Sequence, residues 1–304
     1  MITDQSSTLT DAAPPQSGGK MLPPGASSGK VVLVTPGAEE WTIFAEWARA
    51  EGWRVPAREL SLYRNELADA AFVLRDDDAA PLGFITICCH RRSGWIGNLI
   101  VDPARRGEGF GRRLFAAAAA HLAARGAATL WLTASASGLP LYERCGFSGT
   151  GHIERWVWQG RARPGAADVS PPGGDLERLV RADALAWGDS RAGLLTLLAR
   201  GGRVLAANDT LALLQDGEKL RILGPWLSPD LCPRANRLVL AAAMEACAGG
   251  EELAVDLLAG SPVRMLLAAA GFRQTGETVL MMRGAPGPVR FGEIVALASL
   301  GSMG

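Results

Sequence analysis

The chain has 304 residues, 31 basic and 31 acidic side chains, a formal charge of zero at pH 7 and 48% hydrophobic content. That length allows two domains of ordinary size, each with enough apolar material for a core. A balanced charge gives no bulk attraction to nucleic acid or to an anionic membrane, and no apolar run approaches the roughly 20 residues that span a bilayer.

In chain order, residues 1–29 are Ser, Pro, Gly and Asp with few large apolar groups, a composition that predicts a disordered tail. The tail also lacks the basic start and apolar core of a secretory signal. Val31–Val34 reads as a short strand, closed by Pro36-Gly37. Trp41, Phe44, Ala45 and Ala48 fall on one face of a helix that ends at Gly52, and Leu60, Tyr63 and Leu67 suggest a second short helix. Ala71–Arg75 and Leu82–His90 read as antiparallel strands about the turn Asp76-Asp77-Asp78, followed by a central strand, Trp95–Val101. The Ala-rich run Gly111–Arg125 predicts a helix that can lie close to a sheet. Thr129–Thr133 is the next strand, then a short helix about Tyr142, then a last strand pair from Phe147 to near Trp158. Residues 161–174 have the composition of a linker, and a second domain follows over 175–304. Cysteines 88, 89, 145, 232 and 247 have no metal-like spacing except the adjacent Cys88 and Cys89, which face opposite ways on a strand. No metal is therefore expected, and buried thiols in a reducing cytoplasm are the simplest reading.

The informative stretch is Arg105-Arg106-Gly107-Glu108-Gly109-Phe110-Gly111, between the central strand and the Ala-rich helix. With glycines at 107, 109 and 111 no side chain stands between the main chain and a ligand, so N–H groups at the helix start can point at an anion. The aligned peptide dipoles put roughly half a positive charge there, to which Arg105, Arg106, Arg112 and Arg113 add. A nucleoside-triphosphate loop would end in Gly-Lys-Ser/Thr, whereas Gly111 is followed by Arg112, Arg113 and Leu114. The three-glycine spacing of a dinucleotide fold is also missing.

A third pattern fits. Arg-x-x-Gly-x-Gly from Arg106 to Gly111, after Val101-Asp102-Pro103, is joined some thirty residues on by Leu141-Tyr142-Glu143-Arg144-Cys145-Gly146-Phe147. Together, and in this order, these motifs resemble the pyrophosphate loop and the LYEKxGF signature of the GCN5-related N-acetyltransferase (GNAT) family. The resemblance implies an α/β (α+β) fold with a mixed, mostly antiparallel sheet flanked by helices, and a catalytic domain over residues 30–160. It implies acetyl-CoA as acyl donor, with the diphosphate on Arg106, Gly107, Glu108, Gly109, Phe110 and Gly111. Main-chain groups of Leu99, Ile100 and Val101 would hold pantetheine and polarise the acetyl carbonyl. Tyr142 would be the general acid for the departing thiolate. Ser135 stands where the family commonly has Asn, which puts the usual cofactor contact there in question.

The second half repeats the first weakly: Gly224–Pro229, the helix Leu238–Ala248, Leu253–Leu257 and Leu267–Phe272 follow the same order. Arg106, Gly109 and Gly111 correspond to Cys232, Ala235 and Arg237, and Tyr142 to Leu267, so the chemistry is expected to be lost. The arrangement resembles tandem bacterial acetyltransferases of the YitH type, in which the C-terminal half is a degenerate GNAT-like copy, and the tail Val289–Gly304 also looks like theirs. The expected acceptor is a primary amine, of a small molecule rather than nucleic acid or membrane. The base is open among Glu59, His90 and Asp102. The second half could serve as lid, acceptor wall or homodimer surface. Trp41, Trp47, Trp53 and Tyr63 could line an acceptor slot or pack in the core. A non-catalytic acyl-CoA sensor, or transfer of a longer acyl chain or to a protein amine, are the alternatives.

Overall fold

A computed structural model describes residues 31–160, 175–247, 250–285 and 287–304, so the expected tail and linker lie outside the described residues. The first half runs β1 (Val32–Val34), α1 (Ala38–Ala50), α2 (Ala57–Arg64), β2 (Ala71–Arg75), β3 (Pro81–Cys89), β4 (Ser93–Val101), α3 (Phe110–Ala124), β5 (Thr129–Ala134), α4 (Leu139–Arg144) and β6 (Ser148–Gln159). The second runs α5 (Leu176–Trp187), α6 (Ala192–Leu198), β7 (Arg203–Ala207), β8 (Thr210–Gln215), β9 (Leu220–Leu227), α7 (Pro233–Glu245), β10 (Glu252–Leu258), α8 (Val263–Ala269), β11 (Arg273–Gly284) and β12 (Ile294–Ala296). From the helix pair onward the two halves have the same order. Helix α7 begins five residues before the expected Leu238, because Pro233 suits a first helical turn, whose N–H needs no partner.

The twelve strands among the described residues form one sheet, in the order β1-β2-β3-β4-β5-β11-β6-β10-β12-β9-β8-β7. The last strands of the halves are exchanged. Strand β11 lies between β5 and β6, and β6 lies between β11 and β10. Residues 147–158 are therefore not the expected strand pair but lie almost wholly in one long strand. Its glycines make a bulge rather than a turn: Leu280 faces Gly151 and Met281 faces Gly149, leaving Thr150 extra in the ladder. Across the seam, Arg155 of β6 donates from Nε and Nη2 to the two carboxylate oxygens of Asp256 on β10, both at 2.7 Å. Unpairing such a largely buried ion costs about 3 kcal/mol or more.

Helix α3 sits close to the sheet because the strands beneath it carry glycines. A Cβ at Gly83 would lie 2.8 Å from Leu114 Cδ1, and one at Gly94 would lie 2.5 Å from Leu122 Cδ2. Helix α1 buries Trp41, Phe44 and Ala48, as its periodicity requires. Helix α5 of the second half joins the same core, where Trp187 meets Trp95 at 6.2 Å and Trp131 at 5.6 Å.

Two strand pairs are parallel, β4–β5 and β9–β10, and both come apart. Strand β4 pairs with β5 only at residues 93–95 with 129–131. A bulge shifts the β3–β4 register between Phe84 and Thr86, and Asn98 on the bulged strand has φ +51°, rare for a residue with a side chain. Strand β9 pairs with β10 over 220–222 and 252–254, and beyond that point β12 fills the gap, antiparallel to both. Gly224 makes room for that chain, since a Cβ there would lie 1.9 Å from the carbonyl oxygen of Leu297.

A chain ending after Gly160 loses β11 and β10, leaving β6 without either neighbour and β5 with a bare edge. It is expected to aggregate, whereas the full chain elutes as a defined species on size-exclusion chromatography. A soluble, monomeric fragment with the full-length near-UV dichroism would contradict the exchange.

Candidate functional site

The parting of β4 from β5 opens a cleft of roughly 760 Å³, a volume suited to a sizeable ligand. It is lined by Leu99, Ile100 and Val101, by Arg106, Gly107, Glu108, Gly109, Phe110 and Gly111, and by Ser135 and Tyr142. The expected donor-binding residues and Tyr142 thus line one cavity.

At one end lies the glycine loop. Gly107 and Gly109 both have φ +88°, and Gly109 caps the first turn of α3 in the left-handed region. No atom lies within 4 Å of where a Cβ would stand on either, and at Gly111 a Cβ would make only ordinary contacts, 3.5 Å to Val101 and 3.7 Å to Leu141. Packing therefore demands none of the three glycines: the positive φ accounts for Gly107 and Gly109, and at Gly111 open backbone facing a ligand is what remains. Arg106 donates to Glu51 at 2.6 Å, and Arg105 to Glu108 at 2.8 and 2.9 Å. Arg112 and Arg144 also line the cleft and have no ion-pair partner among the described residues. A polyanion here would meet two unpaired cations, one cation held by a single surface pair, and the free N–H groups of a helix start.

Midway, α4 brings Tyr142 to the wall, its ring packed edge-on against Phe115 at 6.2 Å and Phe147 at 6.1 Å. Burial, with a smaller contribution from Cys145, pushes the phenol above its usual range, so it is protonated at neutral pH. Its hydroxyl has no hydrogen-bond partner among the described residues. Ser135 bonds to Ser137 Oγ at 3.1 Å and accepts from the Gly138 N–H at 3.3 Å, and it lines the same wall.

The far end holds Glu59, carried by α2 and 5% exposed. Asn98 Nδ2 donates to its Oε1 at 2.9 Å, which explains the left-handed conformation of Asn98: the bulge turns this side chain across the cleft. Burial raises the Glu59 carboxyl above the ordinary carboxylate range, opposed in part by Asn98, by Ser302 and by the charge of Arg155. The floor is the chain after β12. Gly301 O accepts from Trp95 Nε1 at 3.0 Å and from Thr133 Oγ1 at 3.1 Å, and Leu300 O accepts from Arg155 Nη2 at 2.7 Å. Gly97 admits this segment, since a Cβ there would lie 2.3 Å from Ser302 O.

The other two base candidates are elsewhere. His90 lies at the opposite end of the strands, in a separate cavity with Arg92, Asp189 and Arg191, where burial and the charge of Arg191 push its pKa down to about 3. Asp102 caps a turn, accepting from the Ala104 N–H at 2.9 Å. Of the four aromatic candidates only Trp53 lines the cleft; Trp41 and Tyr63 are buried, and Trp47 packs on Phe84. Sequence reasoning missed Asn98, Arg155 and Leu300–Ser302. A polar Asn inside an apolar strand was the one local signal.

In the second half Ala235 and Leu267 are 2% and 0% exposed, so both correspond to packing positions, and β12 occupies the space that the cleft has in the first half. Among the described residues no group of His, Cys, Asp and Glu could hold a metal, and no helix is long and apolar enough to cross a membrane.

Residues 68–149 match the family model described as Acetyltransferase (GNAT) domain. A protein of Pyrococcus horikoshii provisionally described as an acetyltransferase superposes with a TM-score of 0.72 at 20% identity, over 90% of this chain and 95% of that one. A GCN5-related N-acetyltransferase from Sphaerobacter thermophilus gives 0.61 at 18% identity over 84% and 95%. Another from Kribbella flavida gives 0.51 at 14% over 84% and 71%. Comparison with curated proteins found no match. The fold is thus GNAT-like through both halves, and the stretch that carries the GNAT acetyltransferase signature is the one that holds the glycine loop and Tyr142.

Because Glu59 is raised, it binds its proton more tightly folded than unfolded, and stability falls as pH rises between the two pKa values. Glu59→Gln removes the cost of the buried charge. It should raise the melting temperature at pH 7, and the gain should vanish as the pH falls below the ordinary carboxylate range, as thermal denaturation against pH would show.

Proposed function

We propose that the chain is an acetyl-CoA-dependent N-acetyltransferase acting on a primary amine of a small molecule, with residues 30–160 as the catalytic domain and 175–304 as a degenerate GNAT-like domain that completes the acceptor end. The observation that supports this most is a single cleft that runs from an open glycine loop, past a protonated phenol, to a buried carboxylate.

The residues present fit the donor. Gly107, Gly109 and Gly111 leave main-chain N–H groups free for a diphosphate, with Arg106, Arg112 and Arg144 supplying charge, and Arg106 exchanging Glu51 for phosphate. Leu99, Ile100 and Val101 lie where β4 no longer pairs with β5, so their main-chain groups are available to pantetheine and the acetyl carbonyl. Acetyl-CoA supplies the activated acyl group.

Glu59 is suited to accept the proton of the incoming ammonium, since a raised carboxylate loses less driving force against an amine than an ordinary one. The freed nitrogen attacks the thioester carbonyl, forming the C–N bond as the C–S bond breaks. Tyr142 then donates its proton to the departing sulfur, and a second nitrogen proton is released to solvent. His90 is too weak a base and too far along the strands to take part. Within this scheme β12 explains why the second half has no counterpart site: its cleft is filled by chain.

Tyr142→Phe should lower kcat by at least tenfold and leave the acetyl-CoA dissociation constant within about twofold, read by CoA release and by calorimetry. Gly111→Ala, whose Cβ would make only ordinary contacts, should fold normally and weaken acetyl-CoA at least tenfold, about 1.4 kcal/mol. Full turnover in the first variant removes the acid role; unimpaired binding in the second removes the loop from the donor site.

The acidic limb of kcat/KM should lie above the ordinary carboxylate range and should disappear in Glu59→Gln. An unchanged limb in the variant would assign the base elsewhere.

A further inference from the structure

The far end of the cleft carries more polar chemistry than an amine requires. Glu59 accepts from Asn98 on Oε1 and makes no ion pair among the described residues, so its second oxygen can meet an ammonium group. Beside it stands Ser302, 4% exposed, whose Oγ lies near enough to lower the Glu59 carboxyl but makes no well-formed hydrogen bond. A buried hydroxyl left without a partner is costly, so such a group lining a cleft marks a position where a ligand atom belongs. Arg155 lines the same end. Its Nε and Nη2 are taken by Asp256 and by Leu300 O, while Nη1 has no partner among the described residues. The guanidinium is fixed by three bonds, so its remaining N–H edge is held in place, and a desolvated, oriented N–H of this kind favours a charged oxygen.

A carboxylate for nitrogen, a spare guanidinium edge and a hydroxyl without a well-formed bond therefore share one end of one cavity. Resting on the acetyltransferase reading above, we propose that the acceptor is an amino acid, its amine at Glu59 and its carboxylate on Arg155 Nη1 and Ser302 Oγ. Both carboxylate-binding groups come from outside the first half's own sheet of β1 to β5: Arg155 is held by the second half's Asp256, and Ser302 belongs to the segment after β12. The acceptor end is thus a joint product of the exchanged strands. Specificity for a charged partner of this kind is large, because an analogue lacking the carboxylate leaves both donors buried and unpaired.

The test uses the full chain, acetyl-CoA and matched triplets: phenylalanine, phenylalaninamide and phenethylamine, and the same three forms of leucine and of lysine, with CoA release as the signal. In at least one triplet kcat/KM for the amino acid should exceed that for the decarboxylated amine tenfold or more, with the amide between. Arg155→Lys keeps the charge on Asp256 but moves the N–H edge; it should reduce that ratio to below about threefold through KM, with the acetyl-CoA dissociation constant unchanged. Ser302→Ala should reduce the ratio in the same direction without lowering the melting temperature, which separates the effect from misfolding. Equal or better turnover of the decarboxylated amines, or a ratio that both variants leave intact, overturns the proposal while leaving the acetyltransferase reading in place. Failure to bind acetyl-CoA, or CoA release with no amine of any class, overturns that reading and this one with it.

Discussion

Parallel strands that stop pairing leave main-chain donors and acceptors that must find partners elsewhere, and the rest of this molecule is arranged around where those partners come from. In the second half the answer is protein: β12 enters between β9 and β10 and bonds to both, with Gly224 cut back to admit it. In the first half the answer is divided. The segment Leu300–Ser302 closes the deep end against Trp95, Gly97 and Thr133, and the rest stays open toward the glycine loop. One stretch of chain, from Ile294 to Ser302, thus fills one cleft and floors the other.

The open cleft carries a cost that its neighbours only partly offset. A carboxyl group 5% exposed and without an ion pair among the described residues is an expensive thing to keep charged, and Asn98 holds it from a left-handed backbone conformation. Close by, Arg155 and Asp256 satisfy each other across β6 and β10. Unbalanced charge beside balanced charge is what a binding site needs and what a core avoids.

The elements and the loop were legible in the sequence because their signals are local. Apolar period placed α1, alanine content placed α3, and the glycines with Tyr142 marked one wall of the cleft. What the sequence did not disclose depends on contacts between distant segments. Gly149-Thr150-Gly151 has turn composition, and only the presence of β11 alongside makes it a bulge in one long strand. Glu59, His90 and Asp102 were equivalent on paper; what sets Glu59 apart in the cleft is its surroundings of Asn98, Arg155 and Ser302, which the fold brings in from three other places. Glu40 binds Arg75 bidentately at 2.6 and 2.7 Å, a pairing that no spacing rule anticipates.

The exchange of β6 and β11 also sets the order in which the molecule can be made. Ala134 finds its partner in Val279 and Thr129 in Gly284, so a nascent chain must hold the first sheet unfinished until most of the second half has left the ribosome. Pairings of such long sequence separation form slowly. During that wait the unfinished strands are natural clients for chaperones, and the cleft, whose floor is made from residues translated later still, takes shape only when synthesis is nearly over.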